Sequence, residues 1–410
     1  FITSKVAKAD PLVFKRRLWM SEPDSKLFSY LEALPKLGDL VGEYGSLKRT
    51  GQLQANSWLI GQGFKPANAA RLSEASYGSE HSALVAKTPY LPIANFSALA
   101  VTSDGLKPWK NGRVHRKGFE EGFKGPRVMV PRGVSVAQMR LRAAYADEAM
   151  TFQHILQAIV VPTGQERRAK LLAAFLNSRV AIWYAFHGTA SFGSDRPEVQ
   201  QAELMRLPFP EPSDLPEPER ARKAAKALVA IVDKAMVTAK SGFALQNDAS
   251  ETLHKLDEYT YKYFCLAREE ITLIEDAVQH ILPAVQPHQG TFPSIWKTTT
   301  DANRNEYAEA LVHALGNWFS GDLTVNVRLE AHNTDLAILR LTLCATKETQ
   351  AYKEVGDPEV RDLLARLFKN VHQPLPGNFQ LMPDFRIFEG KNLYLVKPMQ
   401  RRFWLRSSAL

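Results

Sequence analysis

The sequence has only two cysteines in 410 residues, no long apolar run, and none of the short motifs that mark common enzyme sites. Cys265 and Cys344 lie far apart and have no ligand-like neighbours. They exclude a disulfide framework and a cysteine-built zinc site, and they indicate a reduced, cytoplasmic protein. No apolar run approaches the roughly 20 residues that a bilayer-spanning helix needs, so we expect no membrane segment. A P-loop, a Gly-x-Ser-x-Gly turn and a histidine-rich metal spacing are also missing.

The composition is that of a folded chain with more than one domain. Hydrophobic residues make up 45% of the sequence and charged residues 23%, which is typical of chains that bury substantial cores. The length suggests two or three domains. The sequence opens on Phe1 and stops at Leu410 after an arginine-rich run. We therefore expect it to be part of a longer protein.

Positive charge is concentrated in one stretch of the sequence. The formal net charge is +9, and between residues 107 and 142 only Glu120 and Glu121 oppose the basic residues. These are Lys107, Lys110, Arg113, Arg116, Lys117, Lys124, Arg127, Arg132, Arg140 and Arg142. Trp109, Phe119 and Phe123 are interleaved with them. Cations mixed with aromatic rings favour a nucleic acid, whose phosphates attract the cations and whose bases stack on rings. The alternative is a solvated basic surface whose rings lie in the core.

Hydrophobic periodicity predicts an α+β protein. We expect an N-terminal connecting segment at 1–40, a strand-rich domain at 41–210, a helical region at 211–290, and a smaller mixed α/β domain at 291–410. Within the first part, glycine spacing over residues 41–64 predicts short strands and turns, and Val128-Met129-Val130 predicts a strand. One helix is predicted from Gln165 to Phe186. A hairpin is predicted with Glu389-Gly390-Lys391-Asn392 at its tip.

Several stretches resemble one family when they are taken in order along the chain. They are Leu171 to Ser178 with its Leu-Asn-Ser ending, Trp183-Tyr184, Leu207-Pro208-Phe209-Pro210, Trp58 to Phe64, Gly125 to Gly133, and Tyr394 to Trp404. Together they resemble the C-terminal target-recognition regions of adenine-specific DNA methyltransferases of the fused restriction-modification and phage-defence type. The resemblance covers much of the chain, and its strongest part runs from Lys170 to Pro210.

The resemblance implies recognition of double-stranded DNA beside a methyltransferase catalytic domain, on the same or a separate chain. In that family the recognition region reads base edges and helps to place the adenine for flipping out of the stack. The family's Asn/Asp-Pro-Pro-aromatic motif and glycine-rich donor loop are missing here. We therefore expect no catalytic residue, metal or cofactor on this chain. S-adenosylmethionine is expected only for the parent enzyme, so activity of this chain itself stays undecided.

Ten residues are predicted to contact DNA, because lysine and arginine neutralise phosphates and amides read base edges. They are Lys48, Arg49, Gln52, Lys107, Lys110, Arg113, Arg116, Lys117, Arg127 and Arg132. Gln54 and Asn56 offer further donors and acceptors for base reading. Asn177 follows Leu176 on an apolar helix, and we expect it to fix the local fold rather than to touch DNA.

Three alternatives stay open. A separate specificity subunit would use the proline-rich strap at 208–218 and the following helix to dock onto a methylase. A nuclease would use Asp384 with Glu389 and Lys391, although a hairpin turn explains the last two better. A protein-interaction scaffold would carry the basic stretch merely as surface. The histidines, His154, His187 and His254 among them, stand singly on apolar helical patterns and predict core or surface positions.

Overall fold

The computed structural model describes residues 2–54, 57–71, 78–109, 112–190, 192–193, 197–241, 249–286, 292–319, 321–354, 360–369 and 385–410. Helices and short strands are mixed throughout, so the predicted α+β class is confirmed. The chain divides into two units, Phe1–Ile274 and Glu275–Leu410. The division lies inside the helical region that the sequence assigned to residues 211–290. No helix in the described part of the chain has both the length and the apolar character needed to cross a membrane.

The first unit is built from short helices, two long helices and small sheets. Its described helices are α1 (Ser4–Ala9), α2 (Val13–Trp19), α3 (Glu22–Ala33), α4 (Tyr44–Thr50), α5 (Ala83–Lys87), α6 (Glu166–Leu176), α7 (Arg179–Gly188), α8 (Gln201–Leu204), α9 (Pro218–Lys240), α10 (Ala249–Tyr263) and α11 (Arg268–Asp276), the last of which crosses into the second unit. Helix α3 begins with a capping box between Ser21 and Asp24 and ends before Pro35. Local sequence signals therefore set both of its ends.

The strands of the first unit are mostly short. They are β1 (Val41–Glu43), β2 (Trp58–Gln62), β3 (Lys65–Pro66), β4 (Glu80–His81), β5 (Tyr90–Leu91), β6 (Leu99–Ala100), β7 (Arg113–Arg116), β8 (Arg127–Pro131), β9 (Ala144–Ala146), β10 (Thr151–Phe152) and β11 (Leu156–Val160). Six of them form one sheet in the order β1-β2-β11-β8-β9-β6, and β3-β7-β4 form a second. Every residue of β8 is buried. The predicted strand at 128–130 is thus the centre of the larger sheet.

Two sequence predictions for this unit are wrong. Residues 44–50 form helix α4 where strands and turns were predicted. The single helix predicted from Gln165 to Phe186 is two helices, because the chain leaves the helical path at Asn177 and Ser178 caps α7 through its side chain. Apolar residues continue on both sides of the break and are nearly all buried. Periodicity alone therefore gave no sign of the break.

The break between α6 and α7 is the centre of a buried polar joint, formed by Arg140, Asn177, Arg179 and Asp257. Arg140 makes two bonds to the Asp257 carboxylate, at 3.0 and 2.5 Å, and also donates to the carbonyl of Asn177. The backbone N–H of Arg179 donates to the same carboxylate at 2.8 Å. Asn177 is fully buried and donates to the carbonyls of Ala143 and Ala173. The prediction that Asn177 fixes the local fold is confirmed.

The second unit is a five-stranded sheet covered on both faces. Its further described elements are a π-helical turn (Ala277–Ile281), α12 (Leu282–Val285), α13 (Asp301–Gly316), β12 (Leu323–His332), β13 (Leu336–Ala345), β14 (Lys353–Glu354), α14 (Val360–Lys369), β15 (Phe385–Glu389) and β16 (Asn392–Pro398). The strand order is β14-β12-β13-β16-β15. Helix α13 packs on one face through Leu339 and α14 on the other through Ile338, because neighbouring strand residues point to opposite faces.

The hairpin predicted near residue 390 is confirmed. Strands β15 and β16 pair antiparallel, with Glu389 opposite Asn392 and a two-residue turn between them. Gly390 has a φ of +58°, which glycine adopts without strain. Glu389 therefore ends β15 and Lys391 lies in the turn, as the sequence favoured over a nuclease site. Asp384 lies outside the described residues. The described residues contain no cluster of His, Cys, Asp or Glu suited to a metal ion.

Candidate functional site

The small sheet β3-β7-β4 places two cations directly opposite each other. Lys65 on β3 pairs across the antiparallel ladder with Arg116 on β7, and both side chains are exposed. Like charges in such a pair repel each other, which costs folding free energy. Neither side chain has a salt bridge to a carboxylate among the described residues. The arrangement is unfavourable in the isolated chain and becomes favourable when an anion lies against it.

Backbone hydrogen bonds bring a histidine and a further arginine to the same place. The N–H of His154 donates to the carbonyl of Phe64 at 2.9 Å, and the N–H of Arg132 donates to the carbonyl of Ile155 at 3.0 Å. His154 therefore lies beside Lys65, and Arg132 lies beside His154. These bonds join three parts of the sequence that are separated by tens of residues. We call the surface made by Lys65, Arg116, Arg132 and His154 the cationic face.

The electrostatics of His154 reflect this neighbourhood. Burial lowers the pKa of the imidazole below its ordinary value, and the charges of Lys65, Arg116 and Arg132 lower it further. The ring lies beside the Phe64 carbonyl, which offsets part of this effect. Even so, Nδ1 is buried and has no hydrogen-bond partner of good geometry in the described part of the chain. His154 is thus a neutral ring held among cations.

Carboxylates neutralise only part of the cationic face. Lys117 forms an ion pair with Glu80 at 3.0 Å, and Arg132 forms one with Glu198 at 3.2 Å. Arg116 donates to the amide oxygen of Gln62 at 3.4 Å, which adds no charge. Among the described residues, Lys65 and Arg116 have no carboxylate partner. The three cations of the cationic face meet one carboxylate, Glu198, which leaves a net charge of +2 before His154 is protonated.

Close contact between two backbone segments holds the cationic face against the larger sheet. The N–H of Phe119 donates to the carbonyl of Gln62 at 2.8 Å, which fastens the segment after β7 to β2. Gly118 has a φ of +77°, and a side chain there would collide with the backbone of Gly63. At Gly61, a Cβ atom would come within 2.5 Å of the Phe119 side chain. Glycines at these two positions allow Arg116 and Lys117 to lie near Gln62, at the C-terminal end of β2.

Two of the predicted DNA contacts, Arg116 and Arg132, lie on the cationic face, and Lys117 follows Arg116 directly in the chain. Arg113 is exposed on β7 and donates to the hydroxyl of Ser79 at 3.2 Å. Lys107 is also exposed but lies before β7, where its carbonyl accepts from Tyr90. Lys110 lies outside the described residues, as does Asn56.

Lys48, Arg49 and Gln52 are exposed on or just after α4. Lys48 donates to the hydroxyl of Tyr44 at 3.2 Å, and this hydroxyl donates to Glu121 at 3.0 Å. The hydrogen bond to Tyr44 raises the pKa of Lys48 above its ordinary value. The Tyr44 ring packs on Phe119 with centroids 4.5 Å apart. Helix α4 is therefore linked, through Phe119, to the segment that carries Arg116 and Lys117.

The prediction that Arg127 contacts DNA is wrong. Its side chain has no exposed surface, and its guanidinium donates to the carbonyls of Gly125 and Glu148, both at 2.7 Å. Burial lowers its pKa to about 10, and the nearby carboxylate of Asp147 opposes that shift. A guanidinium that is committed to backbone carbonyls in the core cannot reach phosphate or guanine. Arg127 ties β8 to the loop after β9.

The aromatic residues of the basic stretch belong to the core. Phe119 and Phe123 are almost completely buried. Trp109 is partly buried and packs edge-on against Tyr90, with centroids 4.9 Å apart, and against Phe64 at 5.8 Å. Phe119 and Phe123 therefore cannot stack on bases, whereas Trp109 keeps part of its ring at the surface. The stretch provides cations at the surface, and its rings anchor them.

Two members of the cationic face, Lys65 and His154, were not among the predicted site residues. Lys65 is an isolated lysine in the sequence, outside the dense basic stretch. His154 is not on a helix, as its apolar neighbours suggested, but in the turn between β10 and β11. Nothing in the local sequence of either residue signals the site. Only the pairing of β3 with β7 and the contact of the turn with Phe64 bring them to the arginines.

In comparisons with known proteins, no protein-family model and no curated protein matches this chain. The functional assignment therefore depends on the residues of the chain itself and on the geometry of the cationic face.

Proposed function

We propose that this chain binds double-stranded DNA through the cationic face, as the target-recognition region of an adenine-specific DNA methyltransferase of a restriction-modification or phage-defence system. In this proposal the chain holds and reads the duplex, and a catalytic domain that these residues do not contain transfers the methyl group from S-adenosylmethionine. The motif resemblance supplies the methyltransferase context. The cationic face supplies a surface suited to the phosphate backbone.

The observation that carries the proposal is the Lys65–Arg116 pair. A surface that merely keeps the protein soluble gains nothing from two cations directly opposed across a ladder, because they repel each other. Guanidinium groups such as those of Arg116 and Arg132 match the geometry of phosphate oxygens. A line of phosphates along a duplex would relieve the repulsion and release condensed counterions. The core positions of the rings favour backbone contact at this face over base stacking.

Salt dependence tests the electrostatic half of the proposal. Binding of the full chain to a random duplex would be measured across a potassium chloride series, beside Lys65→Ala/Arg116→Ala. Each lost phosphate contact lowers the slope of log affinity against log salt by about 0.9, so the double variant should lose about 1.8. Lys223→Ala/Lys226→Ala is the matched control, because it removes two exposed lysines from α9, which contributes nothing to the cationic face. Equal losses in both variants would contradict the assignment of the site.

Sequence recognition needs its own test. Duplexes selected by the full chain from a random library should share a short motif that contains an adenine. The same selection with the Lys65→Ala/Arg116→Ala variant should recover the motif more weakly, because phosphate contacts position the protein while other groups read bases. Salt-dependent binding without any enriched motif would leave a general DNA-binding surface and would remove target recognition from the proposal.

A further inference from the structure

We propose that His154, Lys65, Arg116 and Arg132 form a discrete binding site for one phosphate group, and that filling this site takes up one proton at His154. The inference depends on the proposed function for the identity of the natural ligand, a phosphodiester of duplex DNA. Backbone hydrogen bonds and strand pairing bring these four residues together. It makes DNA affinity dependent on pH.

Backbone contacts place His154 beside the three cations. The His154 N–H is bonded to the Phe64 carbonyl, one residue before Lys65, and Lys65 faces Arg116 across the ladder. Arg132 is bonded through its N–H to Ile155, the residue after His154. The charges of these three cations all act on the half-buried imidazole of His154. Among the described residues, Nδ1 is buried and has no good acceptor or donor, so Nε2 is the nitrogen left to face a ligand.

The charges around the His154 ring determine its protonation state in the free chain. The charges that act on His154 are those of Lys65, Arg116 and Arg132. Of these, Arg132 is shared with Glu198 at 3.2 Å and with the neutral amide of Gln200 at 3.3 Å. The carboxylate of Glu80 forms an ion pair with Lys117, the residue after β7. In the free chain the ring therefore remains neutral at neutral pH, because a fourth positive charge would add to the repulsion.

A bound anion changes the charge balance at His154. A phosphate group between Lys65, Arg116 and Arg132 replaces net repulsion by attraction, and the imidazolium then becomes the favoured form of His154. Protonation makes both ring nitrogens donors, so that Nε2–H can donate to a phosphate oxygen. The bound state thus holds one more proton than the free state. Affinity must fall as pH rises through the interval between the free and the bound pKa of His154, by up to tenfold per pH unit.

Duplex binding over pH 5.5–8.0 at fixed ionic strength provides the first measurement. The full chain should lose affinity toward high pH, and His154→Gln should give a nearly flat curve. His254→Gln is the matched control, because His254 is an exposed histidine of the same unit that pairs with Glu258 on α10. His115→Gln tests the other histidine near the cationic face, whose Nδ1 lies 2.7 Å from the Gly78 carbonyl. Salt-dependent binding with an unchanged pH slope in His154→Gln would overturn the inference and leave the proposed function standing.

A second measurement does not need DNA. The histidine ring signals of the full chain would be titrated by NMR with and without inorganic phosphate, and the signal of His154 identified by its loss in His154→Gln. Phosphate should raise the pKa of His154, and the ring signal of His254, which serves as the control, should not respond to phosphate. A rise of the His154 pKa with phosphate, in a chain that binds no duplex, would keep the phosphate site and reject the proposed function. An unchanged His154 pKa would overturn the site.

Discussion

The buried joint at Arg140 and the cationic face use the same side chains in opposite ways. At the joint, Arg140 gives two bonds to Asp257, and a second cation, Arg179, approaches the same carboxylate at 3.4 Å. Both charges of the Arg140–Asp257 pair are almost completely buried. At the cationic face, Arg116 is exposed and faces Lys65 instead of a carboxylate. Arg140 is therefore committed to the fold by a buried acid, whereas Arg116 stays exposed opposite another cation.

The largest expected effect comes from breaking the joint. Asp257→Ala leaves Arg140 buried without its partner, and breaking such a pair costs about 3–5 kcal/mol of unfolding free energy. Denaturant unfolding followed by circular dichroism measures the loss. Glu258→Ala is the control one residue along α10, since its exposed pair with His254 contributes at most about 1 kcal/mol. Similar losses in both variants would show that the joint does not hold the unit together.

A smaller effect on stability is expected from His187, which is buried, whereas His154 of the cationic face is half-buried. Burial lowers the pKa of His187 to about 3, with Lys15 and Arg16 adding to the shift, and neither ring nitrogen has a hydrogen-bond partner among the described residues. In the unfolded chain the ring titrates near 6.5. Below that pH the unfolded state binds the extra proton, so stability falls as pH falls from about 6.5 toward 3 and is constant above 6.5.

His187→Phe tests this sign, because it keeps a ring beside Trp183 and Phe186 and removes the titration. Between pH 7.5 and pH 5.0 the wild-type chain should lose about 2 kcal/mol more than the variant. Unfolding free energies at the two pH values give the difference. Parallel losses in the two proteins would assign the acid sensitivity to other groups.

Removing one of the opposed cations should change stability and DNA affinity in opposite directions. Lys65→Ala should raise the unfolding free energy by about 0.2–1 kcal/mol at low salt, because it ends the repulsion with Arg116, and the gain should shrink in high salt. The same variant should bind duplex DNA less tightly. Lys117→Ala is the contrasting variant, since it breaks the ion pair with Glu80 and should leave stability equal or lower. A loss of stability in Lys65→Ala would mean that the pair is not repulsive.

The smallest expected effect concerns α4. Tyr44→Phe removes the hydroxyl that joins Lys48 to Glu121 but keeps the ring on Phe119. Lys48 then loses its orientation and not its charge, so duplex affinity should fall by less than about 1 kcal/mol at an unchanged salt slope. Lys48→Ala should lower the salt slope as well. If neither variant changes affinity, α4 lies outside the DNA contact.

Local signals predicted the fold best where they act within a few residues. The capping box and Pro35 define α3, the apolar run at 128–130 defines β8, and the turn at Gly390 defines the last hairpin. Helix α4 was missed because glycines at 42, 45 and 51 resemble turn signals, while Leu47 gains its place only by packing over Gly42. The break at Asn177 was missed because the residues that bind there, Ala143 to Asn177 and Asp257 to Arg179, are distant in sequence.

The sequence by itself determined the α+β class, the concentration of positive charge between residues 107 and 142, and the structural role of Asn177. The tertiary structure alone decided which of those charges are available. It buried Arg127 among carbonyls and Arg140 against Asp257, and it placed the unpredicted Lys65 and His154 beside Arg116. The physical reason is that charge is a property of each residue, whereas burial and pairing depend on segments that only folding brings together.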